Sequence, residues 1–372
     1  MKPHKPVYLA AGYNTVALGP GRPEFDPFRP RPGLLHHVEE AGRAVLAALP
    51  EPGLVDEAVI ANFMAARFCR QGHLAALLPA IHPMLRGKPC TRVESACASG
   101  GLGLSVALKS VLAGAADLVL CLGVEVQNTV KALYGADYLA GAGWYVQAVE
   151  NARAEPKAQE YFNREDDLLA RALEEPDPAA FLDHLTVRDC SKVSDGASAI
   201  LVASERGLEQ AGIPRRDTVR VAGFAHAADD LTQAPEDLCR LTTVEGAVRQ
   251  AFSGTGLGAG DMGVLEIHDC FSITALLMLE AAGCAAAGRS GNLILAGETG
   301  RSGRHPTNTT GGLMGFGHAT GGTGVRQAVD LWRQLTGRAE KCAVKLRKPQ
   351  GMMINMGGND RSAVCLILQG GG

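Results

Sequence analysis

The sequence has no Cys-x-x-Cys pair and no regular cysteine spacing, although it contains 10 cysteines. That argues against a disulfide framework and against the close ligand pairs of a zinc motif. Free thiols in a reducing cytoplasm are expected instead, and no metal. A basic block is also missing: 36 Lys and Arg stand against 39 Asp and Glu, a net charge of -3. Neither a nucleic-acid stripe nor a polybasic membrane anchor is expected, and small-molecule or protein partners are favoured. The N-terminal Met1-Lys2-Pro3-His4-Lys5-Pro6 leads into only a short apolar run, so no export signal is expected. No segment reads as approaching the uninterrupted apolar length of a membrane span. At 372 residues the chain can bury a sizeable core, as one large domain or two to three ordinary ones.

What is present centres on Arg92-Val93-Glu94-Ser95-Ala96-Cys97-Ala98-Ser99-Gly100-Gly101 and the Leu/Val/Ala run after it. The pattern predicts a short strand, a turn, and a helix buried on nearly all sides with Cys97 as its first residue. The positive end of a helix favours thiolate over thiol, and adjacent glycines let an acyl group approach the backbone. Cys97 is thus a candidate nucleophile with an expected low pKa. The bland alternative, a small buried hydrophobe, is what most free cysteines are.

Strands are expected at 7–11, 55–63 and 115–123, with helices near 36–49 and 72–84, an alternation that indicates an α/β layered fold. From about Glu125 to Asp189 the pattern turns aromatic, polar and charged, with Trp144, Tyr145, Tyr161 and Phe162, as in an excursion that covers a site or decorates the periphery. Two stretches then echo each other. Ser194-Asp195-Gly196-Ala197-Ser198 leads into Ala199-Ile200-Leu201-Val202, and Asn359-Asp360-Arg361-Ser362-Ala363 leads into Val364-Cys365-Leu366-Ile367. Glycine-led helix starts recur as well, at 100–103 and 321–324, which suggests a duplicated unit.

Three later stretches place polar groups where a core would not. Glu266-Ile267-His268-Asp269-Cys270-Phe271 joins a strand to an apolar helix. A glycine loop at 308–322 carries His318, and Asn355-Met356-Gly357-Gly358 precedes the last strand. Singly, each histidine reads as an ordinary hydrogen-bonded residue and Cys270 as packing. With Cys97 they supply a nucleophile, bases and oxyanion donors for acyl transfer through a thioester, and glycine-rich backbone can face a ligand.

At these residues the chain resembles the thiolases, in their sterol-carrier-protein-type and archaeal-like acetyl-CoA acetyltransferase branch. The resemblance runs from the first strand to Leu368. It rests on Ser95-Ala96-Cys97-Ala98-Ser99-Gly100, on His268 to Phe271, on Gly317-His318-Ala319, which lacks the family's proline, and on Asp189 to Ala197. Asn355 stands where most of the family carry a second catalytic cysteine.

The resemblance implies a duplicated α-β-α-β-α five-layered fold, with one half at 1–124 and 186–205, an inserted loop domain at 125–185 and a second half at 206–372. It implies no permanent cofactor, coenzyme A thioesters as substrates, a homodimer or homotetramer and, in some members, a small partner subunit. By position, Cys97 would carry the acyl group, His318 would deprotonate it and Cys270 would exchange the second substrate's α-proton. His268 and His318 would hold the enolate oxygen, the amides of Cys97 and Gly357 the thioester oxygen, and Asn355 would at most orient a water or a loop. A ketosynthase or hydroxymethylglutaryl-type synthase is a competing reading, disfavoured by the second thiol. A non-catalytic subunit of the same fold is another.

Overall fold

The computed structural model describes residues 2–20, 22–26, 28–130, 132–144 and 186–371. Most of the expected insert, 145–185, therefore lies outside the described residues, Tyr145, Tyr161 and Phe162 among them. Among the described residues, nine strands form one hydrogen-bonded order, β3-β2-β4-β5-β1-β6-β9-β8-β7. They are β1 Tyr8–Asn14, β2 Glu57–Ala61, β3 Cys90–Val93, β4 Leu118–Glu125, β5 Gly196–Ala203, β6 Thr218–Ala228, β7 Val264–Glu266, β8 Gln350–Gly357 and β9 Ser362–Gln369.

From its centre outwards this order is the same twice. One half runs β1, β5, β4, β2, β3 and the other β6, β9, β8, β7, with the parallel bridge Leu265 to Thr307 standing where a fifth strand would be. The halves join where Tyr8–Ala10 pairs antiparallel with Thr218–Arg220.

The strands have side chains on two buried faces, which explains their near-continuous apolar sequence. In β4, Leu118, Leu120, Leu122 and Val124 pack with Val38, Ala41 and Val45 of α1 (Leu34–Leu46). The alternate residues Val119 and Cys121 share a central core with Leu104 and Leu108 of α2 (Ser99–Ala113). β9 repeats the scheme. Val364, Leu366 and Leu368 enter the central core, whereas Ala363, Cys365 and Ile367 pack with α3 (Thr242–Phe252) and α4 (Ser272–Ala281). With α5 (Thr323–Leu335) beside α2 in the middle, the layers are helix, sheet, helix pair, sheet, helix.

The central pair meets through glycine. A Cβ on Gly324 would overlap the backbone nitrogen of Gly101 and the side chain of Asn355, and one on Gly100 would overlap Gly324. The glycine-led helix starts are thus the contact between the halves. Gly324→Ala should destabilise by about 1–3 kcal/mol or more, because the obstructing atoms are backbone that cannot swing aside. Urea unfolding checks this, and a cost below about 0.5 kcal/mol would refute the close contact.

Two expectations are corrected. The segment expected to be helical at 72–84 forms the 3₁₀ turns Leu74–Ala80 and Pro83–Leu85, since Pro79 and Pro83 have no amide hydrogen for an α-helical ladder. The window Ala96–Ala113 is long and apolar enough to cross a membrane by length and composition alone. Its position between two sheets, mostly buried, accounts for that composition. The two recurring aspartates also differ in use. Asp195 accepts from the amides of Gln127 and Asn128, while Asp360 accepts from Thr243 and Val244 at the start of α3.

Candidate active site

Three strand ends and a glycine loop deliver the chemistry. The turn after β3 carries Cys97, and its sharpness comes from Ala96, held at φ 47°. Ser95 O accepts from Ala98 N, and Ser99 Oγ accepts from Ser95 N, both at 2.9 Å. α2 begins at Ser99, so Cys97 lies two residues before the helix and not on its first turn. The end of β8 presses against this turn. A Cβ on Gly357 would overlap Ser95 O and Ala98 N, so only glycine allows the approach.

β7 delivers His268 and Cys270. Asp269 Oδ1 accepts from Leu313 N at 2.7 Å, and Asn308 grips Ile267 through both its N–H and its carbonyl. His318 sits on the glycine loop before α5, and the first half holds it there. Its amide donates to Lys192 O, and its carbonyl accepts from Gln127 Nε2 at 2.8 Å. The Gly321 amide, expected to face a ligand, instead donates to the buried Glu125.

Cys97, His268, Cys270, His318 and Gly357 line one cavity of about 290 Å³. Leu139, Phe271 and Met356 give it apolar walls. Cys97 Sγ and one ring nitrogen from each of His268 and His318 lie within 4.8 Å of one another. The two rings meet edge to face, 5.2 Å between centroids. His318 Nδ1 pairs with Thr323 Oγ1 at 2.7 Å, and its Nε2, out of solvent contact, has no hydrogen-bond partner among the described residues. Asn355 is wholly buried behind the Cys97 turn and does not line the cavity. Strand alternation turns its side chain toward Gly101 and that of Met356 to the opposite face, at the cavity wall.

The expected low pKa of Cys97 is overturned. Burial pushes the thiol well above its ordinary value, and the neighbouring Cys270 adds to the rise. Burial likewise pushes Cys270 up to about 11, against the lowering effect of Thr274. Both histidines are held neutral. Burial lowers His318 to about 3, with the Arg326 charge contributing, and lowers His268 well below its usual value, aided by His318 and Arg326. The resting site is therefore two thiols facing two uncharged imidazoles, and Cys97 must lose its proton as it attacks.

A histidine whose folded pKa falls to about 3 contributes stability above pH 6.5 that is lost as pH drops toward 3. Burial raises Glu125 to about 7, which acts the other way: its contribution is present below about 4.5 and lost as pH rises through 7. The stability difference between wild type and His318→Asn should therefore shrink as pH falls from 7 to 5, with a slope of up to one proton. Urea unfolding at the two pH values measures it. A difference independent of pH would show that the folded protein protonates this ring normally.

The four side chains named from the sequence line one cavity, and others that the sequence reading did not name line it with them. Cys190 lines the same cavity as a third thiol, and Gln127 joins it from the end of β4. Thr323 reads in sequence as an ordinary first-turn threonine. The fully buried Glu266, two residues before His268, reads as an ordinary strand-end acid.

The family model described as Thiolase C-terminal domain-like matches residues 223–370. The acetyl-CoA acetyltransferase of Methanocaldococcus jannaschii is 30% identical, over 95% of this chain and 98% of its own. Human mitochondrial 3-ketoacyl-CoA thiolase, solved in complex with CoA, covers 100% of both chains with TM-score 0.66 at 18% identity. The Ltp2-ChsH2(DUF35) aldolase covers 100% of this chain and 99% of its own, with TM-score 0.71 at 18% identity. At such low identities the two structures bear on the fold alone. The archaeal relative, matched along almost its whole length, carries the assignment: this chain belongs to the thiolase family.

Proposed function

We propose that the protein is a thiolase-type acyltransferase that forms an acyl-cysteine from a coenzyme A thioester and then condenses it with a second one, or runs the reverse thiolysis of a 3-oxoacyl-CoA. The observation that carries this is that Cys97 Sγ and one ring nitrogen from each of His268 and His318 lie within 4.8 Å of one another beside an apolar-walled cavity, with His318 Nε2 lacking a hydrogen-bond partner among the described residues. Cys97 Sγ attacks the thioester carbonyl while His318 Nε2 takes its proton, and coenzyme A leaves as the thiol. The amides of Cys97 and Gly357 hold the carbonyl oxygen as it gains charge. In the second half, Cys270 exchanges the proton at the α-carbon of the incoming thioester, and the Nε2–H of His268 holds the enolate oxygen. The enolate carbon bonds to the acyl carbon, and the Cys97 thiolate departs and regains a proton.

Incubation with acetyl-CoA tests the reading. Intact mass should rise by one acetyl group, and peptide mapping should place it on Cys97. An unmodified protein, or a label on another cysteine, would overturn the assignment.

Assembly into a homodimer or homotetramer is part of the proposal, with β3 at one end of the sheet order offering an open edge for a second copy. Sizing chromatography at micromolar concentration should give a dimer or larger, and a monomer would refute it. A small partner subunit and a reducing, cytoplasmic setting belong to the same reading, the latter because the proposed chemistry needs its thiols free.

A further inference from the structure

Asn355 has every polar atom committed. Its Oδ1 accepts from Gly101 N at 3.0 Å, and its Nδ2 donates to Cys97 O at 3.0 Å and lies 3.1 Å from His268 Nδ1. A backbone N–H can only donate and a carbonyl can only accept, so the amide cannot be turned over. Its second N–H therefore meets His268 Nδ1, which must accept, and the proton of that ring sits on Nε2. His318 is the reverse case. Thr323 Oγ1 lies 2.7 Å from His318 Nδ1 and 3.1 Å from Ala319 O; as a donor to Ala319 O it has only lone pairs left for the ring, which then donates Nδ1–H and leaves Nε2 bare.

We propose that Asn355 is a positioning residue: it fixes His268 as an Nε2–H donor beside the His318 ring, and in doing so bars a metal ion from the Cys97–His268–His318 cluster. The use of the donor in catalysis rests on the proposed thiolase chemistry; the exclusion of metal does not. One sulfur and two ring nitrogens within 4.8 Å of one another are otherwise a near-ready set for Zn²⁺. A histidine that binds metal through one nitrogen carries its proton on the other and gives it to an acceptor. His268 bound through Nε2 would aim Nδ1–H at the N–H of Asn355, donor against donor. Rotating the amide would forfeit its bonds to Gly101 N and Cys97 O and leave buried groups unpaired. An aspartate would do the opposite: its carboxylate accepts Nδ1–H and frees Nε2 for the ion, the carboxylate–histidine–zinc arrangement.

Two measurements test this. In the ¹⁵N spectrum of histidine-labelled wild-type protein, His268 should show an unprotonated Nδ1 and a protonated Nε2, and His318 the converse. Titration with Zn²⁺ alone should then show Asn355→Asp binding about 10–100-fold more tightly than wild type, the usual reach of a metal ligand's hydrogen-bond partner. A protonated Nδ1 on wild-type His268 overturns the proposal, and so does equal Zn²⁺ affinity in the two proteins. If Asn355→Asp fails to fold, the wild-type spectrum decides alone. Failure of acetyl-CoA to label Cys97 would sink the proposed function and leave both of these readouts standing.

Discussion

Cys97→Ala should lower condensation and thiolysis by on the order of 10⁶-fold, the scale of loss when an enzyme's covalent nucleophile is removed. Its fold should survive. Cys97 is half-buried at a cavity wall, and the turn around it is held by backbone and Ser99, none of which needs the sulfur. The raised pKa of the thiol sharpens the expectation, because a buried thiol next to neutral imidazoles reacts only by giving its proton to His318 during attack. Retained turnover in Cys97→Ala, at any level above a few per cent, would mean that Cys190 or Cys270 is the acceptor. Thermal melts alongside the assay separate lost chemistry from lost structure.

Cys270→Ala is expected to divide the reaction in two. Acylation of Cys97 should persist, since it draws on His318 and the backbone amides, while condensation and thiolysis fall by roughly 10²–10⁴-fold, the usual share of a general acid or base. Burst labelling with acetyl-CoA reads the first half and steady-state turnover the second. Asn355→Ala should blur the division, because it loosens the Cys97 turn and His268 together. If Cys270→Ala turns over normally, the α-proton moves through an imidazole and the second thiol is a bystander.

How much of this was legible depended on what each residue's role rests on. Cys97, His268 and Cys270 lie just past strand ends and His318 on a glycine loop, so their places could be read from strand ends and glycine turns. The duplication was visible in Asp195 and Asp360, yet not their different hydrogen-bond partners, which depend on distant backbone. The pKa of Cys97 was misjudged because a helix-dipole argument counts the favourable field and leaves out desolvation, the larger effect at this site. Asn355 was legible only as a departure. Which face of β8 it occupies, and that Gly101, Cys97 and His268 surround it, comes from the packing of the two halves. Thr323 escaped notice for the same reason, since its consequence lies in a neighbour's tautomer.

The glycine seam between α2 and α5 limits how this protein could be recombined. Each reactive loop belongs to one half, which suggests swapping halves between relatives to mix specificities. The seam resists that exchange. Gly100, Gly101 and Gly324 interlock at backbone distance, and Asn355 threads from the second half into the turn that holds the first half's cysteine. A chimera joined in the loops would inherit two intact sheets and a mismatched centre, unless the donor half brought both the glycines and the amide with it. Selection on such a protein acts on the halves as a matched pair, and a crossover between them is a change to the active site however far from it the cut is made.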